Sequence, residues 1–505
     1  MNIMMLLEMA AAGMADRIAF TCHPEGQGET GEHLTYQQLF NAAGAAAQLI
    51  KQSGATRTAV IDISSLALPI ALFGSGWAGV PYVPINYRLT EEEISALLAR
   101  VKPAFLITDS ERAKKLSSDT GITISERETF IKKTGTAATP ADNDWPMDAE
   151  LTAVLLFTSG TTGTPKAAVL RHKHLVSYIL GSVEFCSATE DDATLVCVPP
   201  YHVAGIAAML SSVYAGRRLV QLPNFSAGKW LEIARQEKVS NAFVVPTMLA
   251  RIIEALEGKS SADLPHLKAV SYGGGKMPLS VIERAMQLFP DTDFTNAYGL
   301  TETSSTIAVL TPDDHRSAAS SSDEKIRKRL ISVGRALPGV TIEIRDDEGK
   351  VPGVNQRGEI YVKGEQVSGE YEDRGPVIDK QGWFPTRDAG SMDEDGYLFL
   401  EGRADDVIVR GGENMSPGEI EDILLEHGAV SDVAVVGIPD EQWGEGVAAA
   451  VVLKTGKTAS AEELQNWVKG KLRSSRVPQH IEFWPELPYN ETGKLLRRVV
   501  KAKLS

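Results

Sequence analysis

Residues 158–166 read TSGTTGTPK. Hydroxyl donors at Thr158, Ser159, Thr161 and Thr162, the glycines Gly160 and Gly163, and the cation Lys166 are the groups a chain needs to wrap an anionic oxygen cluster. Glycine allows the backbone to approach closely and to turn its N–H groups inward. A phosphate loop of the GxxxxGK[ST] type would put glycine before the lysine and a magnesium-binding hydroxyl after it. Here Pro165 precedes Lys166 and Ala167 follows it, so the loop is not of the kinase or GTPase kind. The apolar run LTAVLLF (151–157) reads as a strand feeding the loop, and helix-like sequence begins near 172. Together they predict a strand, a glycine-rich turn and a helix whose N-terminus faces the anion.

The elements that must position this loop follow a β-α-β rhythm. TAVIDIS (58–64) and AFLITDS (104–110) read as strands, and LTEEEISALLARV (89–101) as a helix opened by a Thr90/Glu93 capping box. That alternation predicts an α/β fold with parallel sheet covered by helices. KKTGTAATPADNDWP (132–146) reads as a polar surface linker and HRSAASSSDEKIRKR (315–329) as a mobile loop. Past residue 402 the pattern changes. Ser416, Pro417 and Glu419 spell a helix start with a capping-box acid, VAVVGI and VAAAVVL read as strands, AEELQNWVKGKL as a helix and IEFW as a last strand. The pattern predicts a small α/β domain of about 100 residues (405–505) joined near Gly402–Asp405 to a large N-terminal part.

Composition narrows the function. The chain has 505 residues, 43% hydrophobic and 23% charged, the balance of a globular protein with more than one core. A net charge of −15 argues against a nucleic-acid partner and against docking on anionic lipid. Three widely spaced cysteines suggest neither a disulfide framework nor a thiolate metal site, and fit the cytoplasm. The N-terminal MNIMMLLEMAAAGMADR lacks a basic flank and reads as an amphipathic first helix, and no apolar run is long enough to span a membrane. RHKH (171–174) reads as a basic helix start, not a metal site.

Four further segments appear in fixed order with the loop: NAYGLTETS (296–304), WFPTRDAG (383–390), GRADDVIVRGGENMSPGEIE (402–421) and NETGKLLRR (490–498). This set resembles the ANL family of adenylate-forming enzymes, which includes acyl- and aryl-CoA synthetases, adenylation domains and firefly-type luciferases. The resemblance spans most of the chain. It implies a large N-terminal domain of stacked sheets and helices, a small mobile C-terminal domain, and ATP, Mg²⁺ and coenzyme A as reactants and cofactor. With this resemblance the division becomes a large unit over 1–402, a hinge at 403–406 and a small α+β unit over 407–505. A carboxylate is a poor acyl donor. Attack by its oxygen on the α-phosphorus of ATP releases pyrophosphate and leaves an acyl group with AMP as a good leaving group, a reaction that needs fixed positive charge.

By the same resemblance, the 158–166 loop holds the β- and γ-phosphates. Tyr298 stacks on adenine within Asn296–Ala297–Tyr298–Gly299, Thr301 contacts phosphate and Glu302 holds the metal. Gly273, Gly274 and Gly275 line the other side of the adenine. Asp388 grips the ribose diol and Arg403 the ribose or phosphate. Arg387 stands where the family has glycine, which puts the local backbone shape in question. Asn414 lies near the adenylate. Lys494 reaches the α-phosphate and the attacking carboxylate. Asp405 is the hinge, and after rotation Gly411 and Gly412 make room for the pantetheine thiol.

For the acid, PPYHVAG places His202 and Val203 at pocket positions where amino-acid-activating members carry an aspartate. Val245 and Met248 in NAFVVPTMLA and Ser304 in SSTIA line the rest. These side chains are apolar or small and imply a fatty, aryl or alicyclic acid. Arg217 and Arg218, in YAGRRLVQL, could bind a second carboxylate, but the segment reads as an exposed turn before a strand. With no carrier segment after the small unit, CoA is the expected acceptor; the alternative is an acyl-AMP ligase that loads a separate acyl carrier protein. A monomer or homodimer is expected.

Overall fold

In the computed structural model, residues 1–23, 31–117, 119–136, 144–158, 165–346, 348–411, 413–440, 442–490 and 495–505 are described, with backbone alone at 405, 413 and 414. The β-α-β rhythm builds two large sheets. One runs, edge to edge, Arg335–Ala336, Ser305–Leu310, Asp293–Leu300, Ala269–Gly273, Asn241–Val244, Ala193–Val196, Arg218–Gln221, Ile18–Cys22 and Glu32–Thr35. The other runs Gly375–Pro376, Glu370–Tyr371, Lys166–Arg171, Thr152–Thr158, Tyr82–Pro84, Arg57–Ile61, Ala104–Thr108 and Ile122–Glu126. A single apolar core spans both, from Ile3 through Phe73 and Leu170 to Phe294. An antiparallel sheet of Val340–Arg345, Gly358–Gly364, Phe384–Met392 and Leu398–Arg403 packs on a smaller cluster that includes Tyr298.

The C-terminal part carries its own sheet, with strands Val430–Asp440, Gly444–Leu453 and His480–Phe483 where the sequence placed them, and helices Pro417–Leu425 and Ala461–Lys469. Its two apolar clusters draw only on residues 408–504. The fold is thus mixed α/β with a large N-terminal and a smaller C-terminal domain.

Local readings held where short-range chemistry decides. Thr90 and Glu93 exchange capping bonds at the start of Glu91–Val101. Several others are corrected. The Ser-rich 315–329 stretch is largely helical, with Pro312–Ser320 opened by a Thr311/Asp314 capping box and fastened by the buried His315, which shares a 2.8 Å hydrogen bond with the Tyr272 hydroxyl. The 132–146 linker begins inside helix Arg127–Gly135, anchored by buried Phe130, and its 137–143 part lies outside the described residues. The first helix, Met4–Met14, buries Met4, Leu6, Leu7, Ala10, Ala11 and Met14, so it is a core element more than an amphipathic surface one. Ser416 makes no capping bond. Its hydroxyl donates instead to the Glu401 carbonyl at 2.7 Å, tying the small domain to the last strand of the large one, and Glu419 pairs with Arg476. Among the described residues no helix is long and apolar enough to cross a membrane.

Candidate active site

Strands Phe384–Met392 and Leu398–Arg403 pair so that Asp388 faces Arg403 directly. The Arg403 guanidinium donates to one carboxylate oxygen of Asp388 at 2.8 Å, and the Tyr298 hydroxyl donates to the other at 2.7 Å. Tyr298 arrives from the sheet that holds Asp293–Leu300, 90 residues before Asp388 in the chain, so a remote strand meets the hairpin at one carboxylate. Burial, helped by the Asp388 charge, raises the Tyr298 hydroxyl far above its ordinary value and keeps it a donor. Arg387 adopts φ +62°, the left-handed conformation a glycine would take. The backbone shape at Arg387 is therefore glycine-like.

These groups line one wall of a cleft of about 1850 Å³. Gly274, Gly275, Asn296, Ala297, Gly299, Thr301 and Glu302 line it as well. Gly273 lies just behind: a Cβ there would sit 2.2 Å from the Ala297 carbonyl oxygen, so the paired strands require glycine.

The 158–166 segment departs from its expected setting. Strand Thr152–Thr158 does not lead to a helix; it pairs antiparallel with a second strand, Lys166–Arg171, and only then does helix His172–Ser182 begin. Thr158 and Lys166 are register partners, so the loop closes a hairpin and no helix N-terminus points from it. Ser159, Gly160, Thr161, Thr162 and Gly163 lie outside the described residues. Thr158 and Lys166 both line the cleft. The Lys166 ammonium lies 5.5 Å from the ring centre of Tyr371, and the Tyr371 hydroxyl donates to Glu302 at 2.6 Å. Glu302 also accepts the Ser368 and Gly369 amides at its backbone carbonyl, 2.8 and 3.1 Å away. Tyr371 was missed from sequence. It sits in a two-residue edge strand, Glu370–Tyr371, paired with Ala168, and nothing local marks it.

The small domain closes the cleft from the opposite side. Glu421, Asp422, Asp432, Pro488, Tyr489 and Arg497 are among its lining residues. Lys494 lies outside the described residues, but the residues flanking that gap, Asn490 and Leu495, both line the cleft. The base of this segment is pinned: Tyr489 bridges to Leu495, the Tyr489 hydroxyl donates to Asp432 at 2.9 Å, and Arg497 makes a bidentate pair with Glu421 at 2.5 and 2.7 Å. Arg497 is a second residue missed from sequence. Gly411 is away from the cleft lining, its amide donating to the Trp443 carbonyl at 2.8 Å. Gly412 is outside the described residues. Asn414 pairs with Val409 in a short strand, and Asp405 lies in the 3₁₀ turn Ala404–Asp406.

His202, Val203, Val245 and Met248 line the same cleft. His202 packs on Tyr201 at 4.7 Å, and burial pulls its imidazole down to about 4, so it is neutral at ordinary pH. Ser304 is fully buried and is not a lining residue; Ser305 and Thr306 take that place. Arg217 and Arg218 are not on an exposed turn. Both are partly buried: Arg218 pairs with Glu237 at 2.5 Å, and Arg217 lines the cleft. In RHKH, His172 and His174 are buried at a helix start, their imidazoles pulled down to about 4 by burial.

The cleft thus joins the Tyr298–Asp388–Arg403 corner to Thr158, Lys166 and Glu302. Residues 7–372 match the AMP-binding enzyme family and 419–494 its C-terminal domain, and the chain belongs to that family. It is 31% identical to a fatty acid–[acyl-carrier-protein] ligase, ScoC, of Streptomyces coeruleorubidus, over 93% of this chain and 92% of that one. It is 30% identical to an indoleacetate–CoA ligase of Aromatoleum aromaticum, again over 93% and 92%. The structure of O-succinylbenzoate coenzyme A synthetase (MenE) from Bacillus subtilis, in complex with ATP and magnesium ion, superposes with a TM-score of 0.82 at 29% identity, covering 98% of each chain.

Proposed function

We propose that the protein is an ATP-dependent acyl-CoA ligase. It joins a carboxylic acid with an apolar body to AMP, releasing pyrophosphate, and then transfers the acyl group to the thiol of coenzyme A. In the first step a carboxylate oxygen attacks the α-phosphorus and the bond to the β-phosphate bridging oxygen breaks. In the second, the thiol sulfur attacks the acyl carbon, AMP leaves and the thiol proton is lost. The observation that carries this reading is the shared cleft: the Tyr298–Asp388–Arg403 corner and the residues flanking Lys494 line it from two domains. In this reading the 158–166 loop holds the departing pyrophosphate, Asp388 and Arg403 the ribose, and Lys494 the α-phosphate and the incoming carboxylate.

The donor set fits a magnesium ion held mainly by nucleotide. Glu302 offers one carboxylate and Thr301 a hydroxyl, both hard oxygen donors, and no cluster of three metal-ligating side chains occurs among the described residues. When bound, the ion neutralises phosphate charge as the two anions approach. Tyr371 holds the Glu302 carboxylate in place beneath Lys166.

The domain boundary read at 403–406 belongs to this proposal. The small domain, 407–505, presents the Lys494 side for adenylation and, after rotation at Asp405, the Gly411–Asn414 side for thioester formation. The three free cysteines of the large domain, Cys22, Cys186 and Cys197, suit the cytoplasm, and the protein acts as a monomer or homodimer. A second reading, transfer to a free acyl carrier protein, is favoured by the likeness to ScoC.

Pyrophosphate release should be screened over fatty, aryl and alicyclic acids with and without CoA. AMP and a CoA thioester are the expected products. Acyl-AMP accumulating until a carrier protein is added would support the second reading, and ADP as product would overturn both. Lys494→Ala should abolish adenylation yet form thioester from supplied acyl-AMP; equal loss of both steps would sink the role given to Lys494.

A further inference from the structure

The acid pocket has a direction and an end. Helix Val203–Ala215 turns Val203, Ala204, Ala207, Ala208, Ser211 and Ser212 toward the cleft. The spacing is that of one helix face, and all but the first side chain are small. From Val203 to Ser212 that face runs about 14 Å at ~1.5 Å per residue. The strand opposite gives a second ruler. Gly274, Val245 and Tyr298 mark the nucleotide end, near the C-terminal ends of the parallel strands, while Thr194 and Asn241 are register partners near their N-terminal ends. From Val245 back to Asn241 is about 13 Å at ~3.3 Å per residue. The two rulers end close together: Thr194 pairs with Asn241 and with Leu219, and Arg217, two residues before Leu219, donates its amide to the Ser212 carbonyl at 2.9 Å, all of Thr194, Asn241, Ser212 and Arg217 lining the cleft.

That end is polar and unsatisfied. The Arg217 Nε and the Thr194 hydroxyl, on a residue only 9% exposed, are buried without hydrogen-bond partners. Among the described residues Arg217 pairs with no carboxylate. Asp192, whose charge acts on it through space, is committed to Lys268 at 2.8 Å. The next residue supplies the contrast. Arg218 is neutralised by Glu237 and also donates to Thr21 and to the Glu237 carbonyl. A partly buried guanidinium left without a counter-charge is costly unless a ligand provides one, and a planar fork suits a carboxylate.

We propose that Arg217 binds a second, terminal carboxylate of the acid substrate, so that the enzyme activates one end of a long α,ω-dicarboxylic acid while Arg217, Thr194 and Asn241 hold the other. The apolar body of the acid lies along the Ala207–Ser211 face. Burial pulls the Arg217 guanidinium below its ordinary value, and an adjacent carboxylate offsets that by favouring its charged form. The inference rests on the ligase reading and names its substrate.

The test is pyrophosphate release by the full chain with a homologous series of linear α,ω-dicarboxylic acids and the monocarboxylic acids of equal carbon count. The wild type should favour the diacid near the length that spans the pocket. Arg217→Leu should lower kcat/KM for that diacid by about 10- to 100-fold, the size expected for losing hydrogen bonds to a charged group, and raise it for the monoacid. Arg217→Lys, which keeps the charge without the fork, should retain part of the preference. A wild type that prefers the monoacid at every length, or a diacid-to-monoacid ratio unchanged in Arg217→Leu, overturns the proposal. Failure of every acid in both series to release pyrophosphate would instead overturn the ligase reading on which it depends.

Discussion

Removing one hydroxyl, in Tyr371→Phe, tests the metal corner with little other disturbance. The Tyr371 hydroxyl donates to Glu302 at 2.6 Å, a charge-assisted bond. Such bonds contribute about 1.5–3 kcal/mol, or roughly 10- to 150-fold in an equilibrium or rate. The phenyl ring remains, so the Lys166 ammonium, 5.5 Å from the ring centre, keeps its cation–π contact of about 0.5–1 kcal/mol. The Glu302 carboxylate then loses its tether while its backbone stays fixed by the Ser368 and Gly369 amides. ATP–pyrophosphate exchange measured across a magnesium titration should show kcat/KM for ATP reduced about 10- to 100-fold, with the magnesium dependence moved to higher concentration. Tyr371→Ala, which also removes the ring beneath Lys166, should cost a further few-fold and shift the KM for ATP. Exchange by Tyr371→Phe that matches wild type at every magnesium concentration would refute the tether. A loss of the same size without a magnesium shift would refute the assignment of Glu302 to the metal.

Three other outcomes are expected. His172, His174 and His202 are held near about 4 by burial, below the ~6.5 of an unfolded imidazole. Their stabilisation is complete above about pH 6.5 and is lost as pH falls toward about 4, because the unfolded chain binds the protons first. Between about pH 7.5 and 5 each contributes a loss of roughly 2 kcal/mol, so urea midpoints should drop, and in His202→Gln the drop should shrink by that amount; an identical drop would refute the buried neutral state. Arg387→Gly relieves about 1–2 kcal/mol of left-handed strain and returns about 0.5–1 in chain entropy. Its side chain is 61% exposed and lies 3.9 Å from Glu359, so little else is lost. Denaturant unfolding should show a small gain, and a clear destabilisation would count against the strain. Asp405→Pro, in the 3₁₀ turn, should let acyl-AMP accumulate while thioester formation stalls, read by separating the two products; normal thioester turnover would sink the hinge.

The Tyr298–Asp388–Arg403 corner was legible because each of its parts constrains residue type within a short segment. Asp388 and Arg403 are only a hairpin apart, Gly273 is demanded by a backbone contact, and Tyr298 sits in a strand whose neighbours announce it. The second strand of the phosphate hairpin was not legible: KAAVLR is short and apolar, and nothing local separates a strand from a helix approach at that length. Arg217 and Arg218 were misread together because a turn pattern treats neighbours alike. What separates them is Glu237, which reaches Arg218 and leaves Arg217 to the cleft.

Tyr371 and Arg497 show why the remaining site residues escape a linear reading. Tyr371 meets Glu302 because an edge strand docks on Ala168, and Arg497 is aligned because Glu421 projects from a helix that starts 80 residues before it. Each belongs to the site through a partner it does not share a motif with, so its type is set by that partner's charge and not by its neighbours in sequence. The groups proposed to contact substrate are therefore readable within their own segments. The groups that hold them are fixed by sheet register and domain packing. The Arg217 pocket lies at the same boundary: its opening at His202 falls in a motif, while its far end is set by the pairing of Thr194 with Asn241 and by a helix face. That division predicts where relatives of this chain diverge in substrate, since the far end can change without disturbing any segment that handles the nucleotide.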